Sequence, residues 1–513
     1  MKKIFTLSMI GSAMLFLSCN KDIVESNADF QALNPEMQDV NGGTWKPFIV
    51  TSLNGNFIPD PQPVTSTSYQ DELKELKKLS SNLNPEQKKA IDYWKVGSVL
   101  RWNEIMRELV AKHNVPPYQK EDGTYPAPSA ANPFSYPIFP FSTPPYAARA
   151  YAYLSLAQYD ALILAWKYKA LHNRLAPYKS DATLTVSVPK NDLPSYPSED
   201  AVISGASLEI MKLLFPVEIE YLSKMAQQEK DYRLWSGANV KSDIAAGDSI
   251  GRWVARQIVQ RAKTDGMGAA GGNPAIWAKL ESDCIARGET PWISLESPKR
   301  PPMLPLFGNV KPLLFQPSAV SSLRAIPPPP TNSDEMRKET AEVLEFTQNA
   351  TRERMRIVNF WADGVGTYTP PGHWNAIATQ ELVKTPISEI RWARNYSLLN
   401  AALMDAAIVC WNTKYFYMNA RPCQLDPNIK TLTGVPNFPA YISGHSTFSA
   451  AAATILGHLF PKRKSDFAAM ALEASNSRMY GGIHYRADCE QGLLTGKKVG
   501  ELAIGRAQTD GAN

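Results

Sequence analysis

Apolar positions recur every three to four residues along most of this chain, the spacing that lays a stripe down one face of an α-helix. The run Leu83-Asn84-Pro85-Glu86-Gln87 opens such a stripe, which continues through Trp94, Val99, Trp102 and Leu109 and predicts one long helix. Asn84 supplies an N-cap oxygen, and Pro85 suits the first helical position. From Tyr146 to His172 the chain is apolar nearly all round, which predicts a buried helix. Further helices are predicted at about 199–214, 217–235, 242–263, 333–348, 374–383, 387–417, 443–460, 464–480 and 485–506. The connectors are rich in proline: 114–145 reads as loop, and 291–330 as an irregular stretch ending in four prolines, Pro327 to Pro330, a stiff extended piece. No strand-rich region and no internal repeat stands out. The pattern predicts an all-α fold, one body of two packed helical bundles.

The N-terminus departs from this pattern. Met1-Lys2-Lys3 is basic, Ile4 to Leu17 is mostly apolar, and Cys19 follows at once. The apolar run is too short to span a bilayer and reads as a signal peptide over 1–18, with Cys19 placed as the lipidated residue of a lipoprotein. Polar composition over 19–70 reads as a lipid tether and irregular lead-in. The remainder divides into a helical half at 71–330 and a C-terminal helical bundle at 331–513. No later stretch is apolar enough to cross a membrane, so the expected membrane contact is through the N-terminal lipid only. The expected location is the cell envelope, in the style of Gram-negative outer-membrane lipoproteins.

Charge changes the picture little. The net charge is +5, from 54 basic and 49 acidic residues, and +3 without Lys2 and Lys3. That balance argues against nucleic acid and against anionic membrane surfaces as partners. Besides Cys19 there are four cysteines, Cys284, Cys410, Cys423 and Cys489. Cys423 and Cys489 flank motif blocks that converge, but spacing leaves open whether they pair or stay as two buried thiols.

The chemistry concentrates near the C-terminus. Lys414 and Arg421 are seven residues apart, two helical turns, and Pro422 then breaks the helix. Ser443-Gly444-His445 opens the next helix, whose free N–H groups and dipole attract an anion, with Gly444 allowing close approach. Arg478 adds a forked donor suited to oxyanions. His484 and Asp488 are four apart on one helix face, so the carboxylate can accept from Nδ1–H and leave Nε2 free. A Lys, two Arg, two His and an Asp in this order describe a cradle for phosphate or a phosphate-shaped ion.

These blocks resemble the signature shared by type 2 phosphatidic acid phosphatases, bacterial acid phosphatases and vanadium-dependent haloperoxidases: K-x6-R-P, P-S-G-H, S-R-x5-H-x3-D. The one departure is Ile442 in place of proline before Ser443, which changes loop stiffness and not a ligand. The resemblance implies that Lys414, Arg421, Ser443, Gly444 and Arg478 hold the oxyanion and that His445 is the acid–base group. It implies that His484 is the covalent partner, as nucleophile to phosphorus or as the single protein ligand to vanadium, with Asp488 orienting it. Trp411 and Phe438 resemble the aromatic residues that line the halide side of a haloperoxidase pocket. Asp363 resembles an acid that pairs with the anion-holding arginines, and His373 is placed as structural or on the pocket rim. The lipid phosphatases of this group span membranes, and the small acid phosphatases are about half as long. The resemblance therefore implies a haloperoxidase-like fold with its site in the C-terminal bundle, vanadate as cofactor, and peroxide and halide as substrates. The alternative is an acid phosphatase acting on a phosphomonoester through a phosphohistidine, with no cofactor. A non-enzymatic envelope lipoprotein that kept the fold would show erosion of these motifs, and none is seen.

Overall fold

The computed structural model describes residues 30–52 and 57–512. In chain order the helices are α1 Thr67–Ser81, α2 Pro85–Trp94, α3 Ser98–Lys112, α4 Pro144–His172, α5 Pro177–Ser180, α6 Glu199–Leu214, α7 Ile219–Trp235, α8 Lys241–Lys263 and α9 Pro274–Ala286. They continue with α10 Val320–Leu323, α11 Asp334–Gln348, α12 Arg352–Phe360, α13 Thr369–Leu382, α14 Glu389–Tyr417, α15 Pro422–Leu425, α16 Gly444–Leu459, α17 Lys464–Tyr480 and α18 Arg486–Thr509. No strand occurs among the described residues, only the isolated bridges Met37–Ile387 and Pro291–Asn419. The all-α expectation holds.

Two local expectations are corrected. The long helix begun at Asn84 is two helices, α2 and α3, broken at Gly97. Gly97 sits at φ +131°, open to glycine alone, and a Cβ there would come 2.6 Å from the Trp392 ring. The apolar stripe runs on through the break, so periodicity cannot see it. Helices α1, α9 and α12 lie outside the predicted helices, α1 because its stripe of Tyr69, Leu73 and Leu76 begins inside the stretch read as an irregular lead-in. The irregular lead-in is packed onto the body from residue 30: Trp45 and Val50 are buried, the Lys46 N–H donates to the Asp510 carbonyl, and Asp39 pairs with Arg391. The leader and Cys19 lie outside the described residues.

The chain does contain an internal repeat. Helices α4 to α8 recur as α14 to α18, each starting 245 residues after its counterpart: Pro144 and Glu389, Glu199 and Gly444, Lys241 and Arg486. The partner lengths agree, at 29 residues for α4 and α14, 16 for α6 and α16, and 17 for α7 and α17. Individual contacts recur at the same offset. Arg149 donates to Asp265 and to the Ala262 carbonyl, as Arg394 does to Asp510 and the Ala507 carbonyl. The Ser198 N–H donates to the Asp243 carbonyl, as that of Ser443 does to the Asp488 carbonyl.

In each copy the long central helix packs against a close pair, α6 on α8 or α16 on α18. Glycines permit that closeness: a Cβ on Gly251 would lie 2.1 Å from the Val202 carbonyl oxygen, and one on Gly496 lies 2.1 Å from that of Thr447. The central helices α4 and α14 also pack on each other and join the copies into one apolar cluster. Facing its own bundle on one side and the other copy on the next, each is apolar all round. The four cysteines left open above, Cys284, Cys410, Cys423 and Cys489, are all free.

Candidate functional site

The site lies in the second copy, where the last turn of α14, the loops on either side of α15, the start of α16, the end of α17 and the start of α18 meet. Lys414 lies in the last turn of α14 and points its Nζ at the carbonyls of Pro439 and Ala440, both at 2.9 Å. Arg421 donates to the carbonyl of Phe438 from Nε at 3.1 Å and from Nη2 at 2.8 Å, and to that of Ile483 from Nη1. Arg478 donates to Ser477 Oγ at 2.8 Å. All three cations are buried, and none pairs with a carboxylate within 4 Å among the described residues. Buried charge without a counter-charge is costly, which makes this cluster a candidate cradle for an anion. Burial pushes both guanidinium groups down to about 10 and the Lys414 ammonium below its ordinary range.

Ser443 caps α16, accepting from the Ser446 N–H at 3.3 Å. At Gly444, at the helix N-terminus, an added Cβ would make ordinary contact with the Phe448 ring at 3.9 Å and the Trp411 ring at 4.0 Å. His484 Nδ1 lies 2.8 Å from Asp488, whose carboxylate also accepts from the Tyr485 N–H. His484 Nε2 is 3.0 Å from Arg421 Nη1. The helix spacing alone leaves Nε2 free; the structure has it accepting from a guanidinium. Burial, with Arg421, Lys414 and Arg478 around it, holds His484 far below the usual histidine range. It is therefore neutral, with its proton on Nδ1 toward Asp488, whose carboxyl burial pushes upward.

His445, Gly444, Arg478 and His484 open onto one cavity of about 190 Å³. His445 Nε2 is buried without a hydrogen-bond partner and lies 3.6 Å from Asp363, too far for a hydrogen bond. Burial and Arg478 push His445 down to about 4. Asp363 departs from expectation: it pairs with no arginine but accepts from His373 Nδ1 at 3.0 Å. Burial alone would raise its carboxyl, but His373 and His445 outweigh that and hold it well below the usual carboxylate range. His373 is thus the partner of Asp363, and it stacks on Trp361 with centroids 4.6 Å apart.

Trp411 and Phe438 form one wall of the cavity, with centroids 5.0 Å apart. Phe438 also lies beneath the cations, its centroid 4.9 Å from Lys414 Nζ and 5.2 Å from Arg421 Cζ. The lip next to this wall holds Arg300 ion-paired to Glu296, and Met303, whose carbonyl accepts from Trp411 Nε1 at 3.1 Å. Sequence reasoning missed this lip because it comes from the proline-rich irregular stretch, where no periodicity points anywhere.

Residues 395–504 match the PAP2 superfamily, and the chain carries this superfamily's helical fold. Two solved structures are similar to it. The first bacterial vanadium-dependent iodoperoxidase aligns with TM-score 0.57 at 23% identity, over 83% of this chain and 98% of its own. A bacterial vanadium-dependent chloroperoxidase in its holo form aligns with TM-score 0.51 at 14% identity, over 75% of this chain and 97% of its own. No curated protein matches this sequence.

Proposed function

We propose that this chain is a vanadium-dependent haloperoxidase-like enzyme that uses peroxide to oxidise halide. The residues fit vanadate. Lys414, Arg421 and Arg478 supply the missing positive counterparts of an oxyanion, Ser443 and Gly444 supply the helix start, and His484 supplies the single protein bond through Nε2. For that bond Arg421 must turn its N–H from Nε2 to the anion. Bound vanadate supplies a Lewis-acidic centre that activates peroxide oxygen toward a halide.

The chain's own residues do the rest. His445 is uncharged near neutral pH and its Nε2 has no partner, so it is placed to take a proton from hydrogen peroxide and return it to the leaving product. Asp363 faces the imidazolium that forms. Asp488 keeps the Nδ1–H tautomer of His484 and so keeps Nε2 toward the ion.

The wall is the observation that carries the choice of reaction. Trp411, Phe438, Phe448 and Met303 wall the space beside His445, so a soft, polarisable halide would sit between rings and thioether near the Arg478 charge, while the polar groups of a phosphoester would find few partners along that wall. The likeness of fold to the two vanadium-dependent peroxidases over three quarters or more of this chain supports the same reading.

The test is direct. Metal-free protein is incubated with vanadate and assayed with peroxide and iodide, bromide or chloride, beside a phosphatase assay without vanadate. Vanadate-dependent halide oxidation is expected. Phosphate release without vanadate, and no halide oxidation at any pH, would give the site to a phosphomonoesterase with His484 as nucleophile and His445 as acid.

A further inference from the structure

The repeat places a second cradle in the first copy. Lys169 stands at the position of Lys414 and directs its Nζ to the Pro194 carbonyl, as Lys414 does to that of Pro439. Ser198 caps α6 as Ser443 caps α16. Arg233 stands for Arg478. Asp243 stands for Asp488 and accepts from the N–H of the residue before its helix, Val240 at 3.0 Å, as Asp488 does from Tyr485 at 3.2 Å. Lys169, Ser198 and Arg233 line a small cavity of about 50 Å³.

Four positions differ, and they differ in one direction. Ala176 replaces Arg421, which removes a cation. Asn239 replaces His484. Its Nδ2 donates to Asp243 at 3.2 Å and its Oδ1 accepts from Arg233 at 2.8 Å, so it has no nucleophilic nitrogen to offer. Glu199 replaces Gly444 at the first residue of α6, and its Oε2 lies 3.6 Å from Lys169 Nζ. Asp200 replaces His445, and its Oδ2 lies 3.2 Å from Arg233 Nε. In the C-terminal copy the corresponding lysine and arginine have no carboxylate.

We propose that the first copy is an oxyanion cradle whose anion is supplied by the chain itself: the Glu199 and Asp200 carboxylates stand against Lys169 and Arg233 where the second copy leaves room for a free tetrahedral ion. The copy without the histidine and that arginine carries instead the carboxylates that neutralise Lys169 and Arg233. This keeps the first copy closed to phosphate and vanadate, and one chain holds one oxyanion. The inference rests on reading the C-terminal copy as an oxyanion site.

The experiment counts vanadate bound per folded chain by isothermal titration, with circular dichroism and melting temperature as the check on folding. Wild type is expected to bind one. Glu199→Gly/Asp200→Asn frees Lys169 and Arg233 and is expected to bind two, the second more weakly because Asn239 forms no bond to it. Adding Lys169→Ala to that variant should return the count to one. Glu199→Gly alone, a milder change at a helix start, is titrated in parallel and should also gain an ion. Folded variants that bind no more than wild type would overturn the proposal, as would a wild-type count of two. A wild type that binds none beside a variant that binds one would uphold it and overturn the reading of the C-terminal site.

Discussion

His484 has a neutral, buried ring fixed on one side by Asp488 and capped on the other by Arg421. No neighbouring side chain offers another nitrogen in that position, so His484→Ala should abolish vanadate-dependent turnover while circular dichroism and melting stay close to wild type. Activity within a few-fold of wild type would remove His484 from the mechanism. Trp411 and Phe438 separate at this scale, although the sequence treats them alike. Trp411 touches the wall and donates to the Met303 carbonyl at 3.1 Å. Trp411→Phe should therefore alter halide preference with vanadate affinity held. The Phe438 ring lies under two cations, so Phe438→Leu, which removes the ring and keeps the backbone carbonyl that holds Arg421, should weaken vanadate binding as well, read as a rise in the vanadate concentration needed for half-activation.

His445 gives the site a pH signature. Its folded value, about 4, lies below the ordinary 6.5, so the fold favours the neutral ring. That contribution is complete above pH 6.5 and is lost as pH falls from 6.5 through 4, because the unfolded chain takes up the proton first. The full loss is roughly 3 kcal/mol, at about 1.4 kcal/mol for each pH unit between those two values. Urea unfolding at pH 7 and at pH 4.5 should show wild type losing more stability than His445→Gln. A saturating oxyanion on the three cations should narrow that difference. Equal losses in the two proteins would show that the ring is not held neutral.

At the scale of elements, the two central helices work alike. Asp160 in α4 accepts the N–H groups of Phe48, Ile49 and Val50, and Asp405 in α14 accepts those of Leu313 and Leu314. Each buried carboxylate ties an irregular strap across its bundle. Removing it strands three donors in one case and two in the other, at about 1–3 kcal/mol for each buried group left unsatisfied. Asp160→Ala should therefore cost more stability than Asp405→Ala in thermal or denaturant unfolding. The strap over α14 leads back toward Met303 and Arg300 at the cavity lip, so Asp405→Ala should also raise the KM for halide, whereas Asp160→Ala should leave it unchanged.

For the whole molecule, among the described residues no helix is long and apolar enough to cross a membrane. We propose that the N-terminal segment anchors the chain to a membrane through a lipid on Cys19. Cys19→Ala should release the protein from the membrane fraction, and full retention would reject the lipid anchor. The all-α class and most helix positions were legible from hydrophobic spacing alone, because a 3.6-residue period is a local property of the chain. The motif residues could be picked out because an oxyanion needs that set of charges and donors, but α14 ends at Tyr417, so Arg421 stands in the loop beyond it and not two turns along the helix of Lys414. The break at Gly97 was not legible, since what demands it is the distant ring of Trp392. The pairing of Asp363 with His373, in place of an arginine, was decided by how α13 packs beside α16. The repeat was hidden for a related reason. Its two copies agree in backbone offset and in scattered pairs such as Asp160 and Asp405, and amphipathic helices look alike whether or not they are copies. Only the folded chain shows that Lys169 and Lys414 hold the same place in two bundles. What separates them is charge at close range: the Glu199 carboxylate stands against the first lysine, and the second has backbone carbonyls at its Nζ.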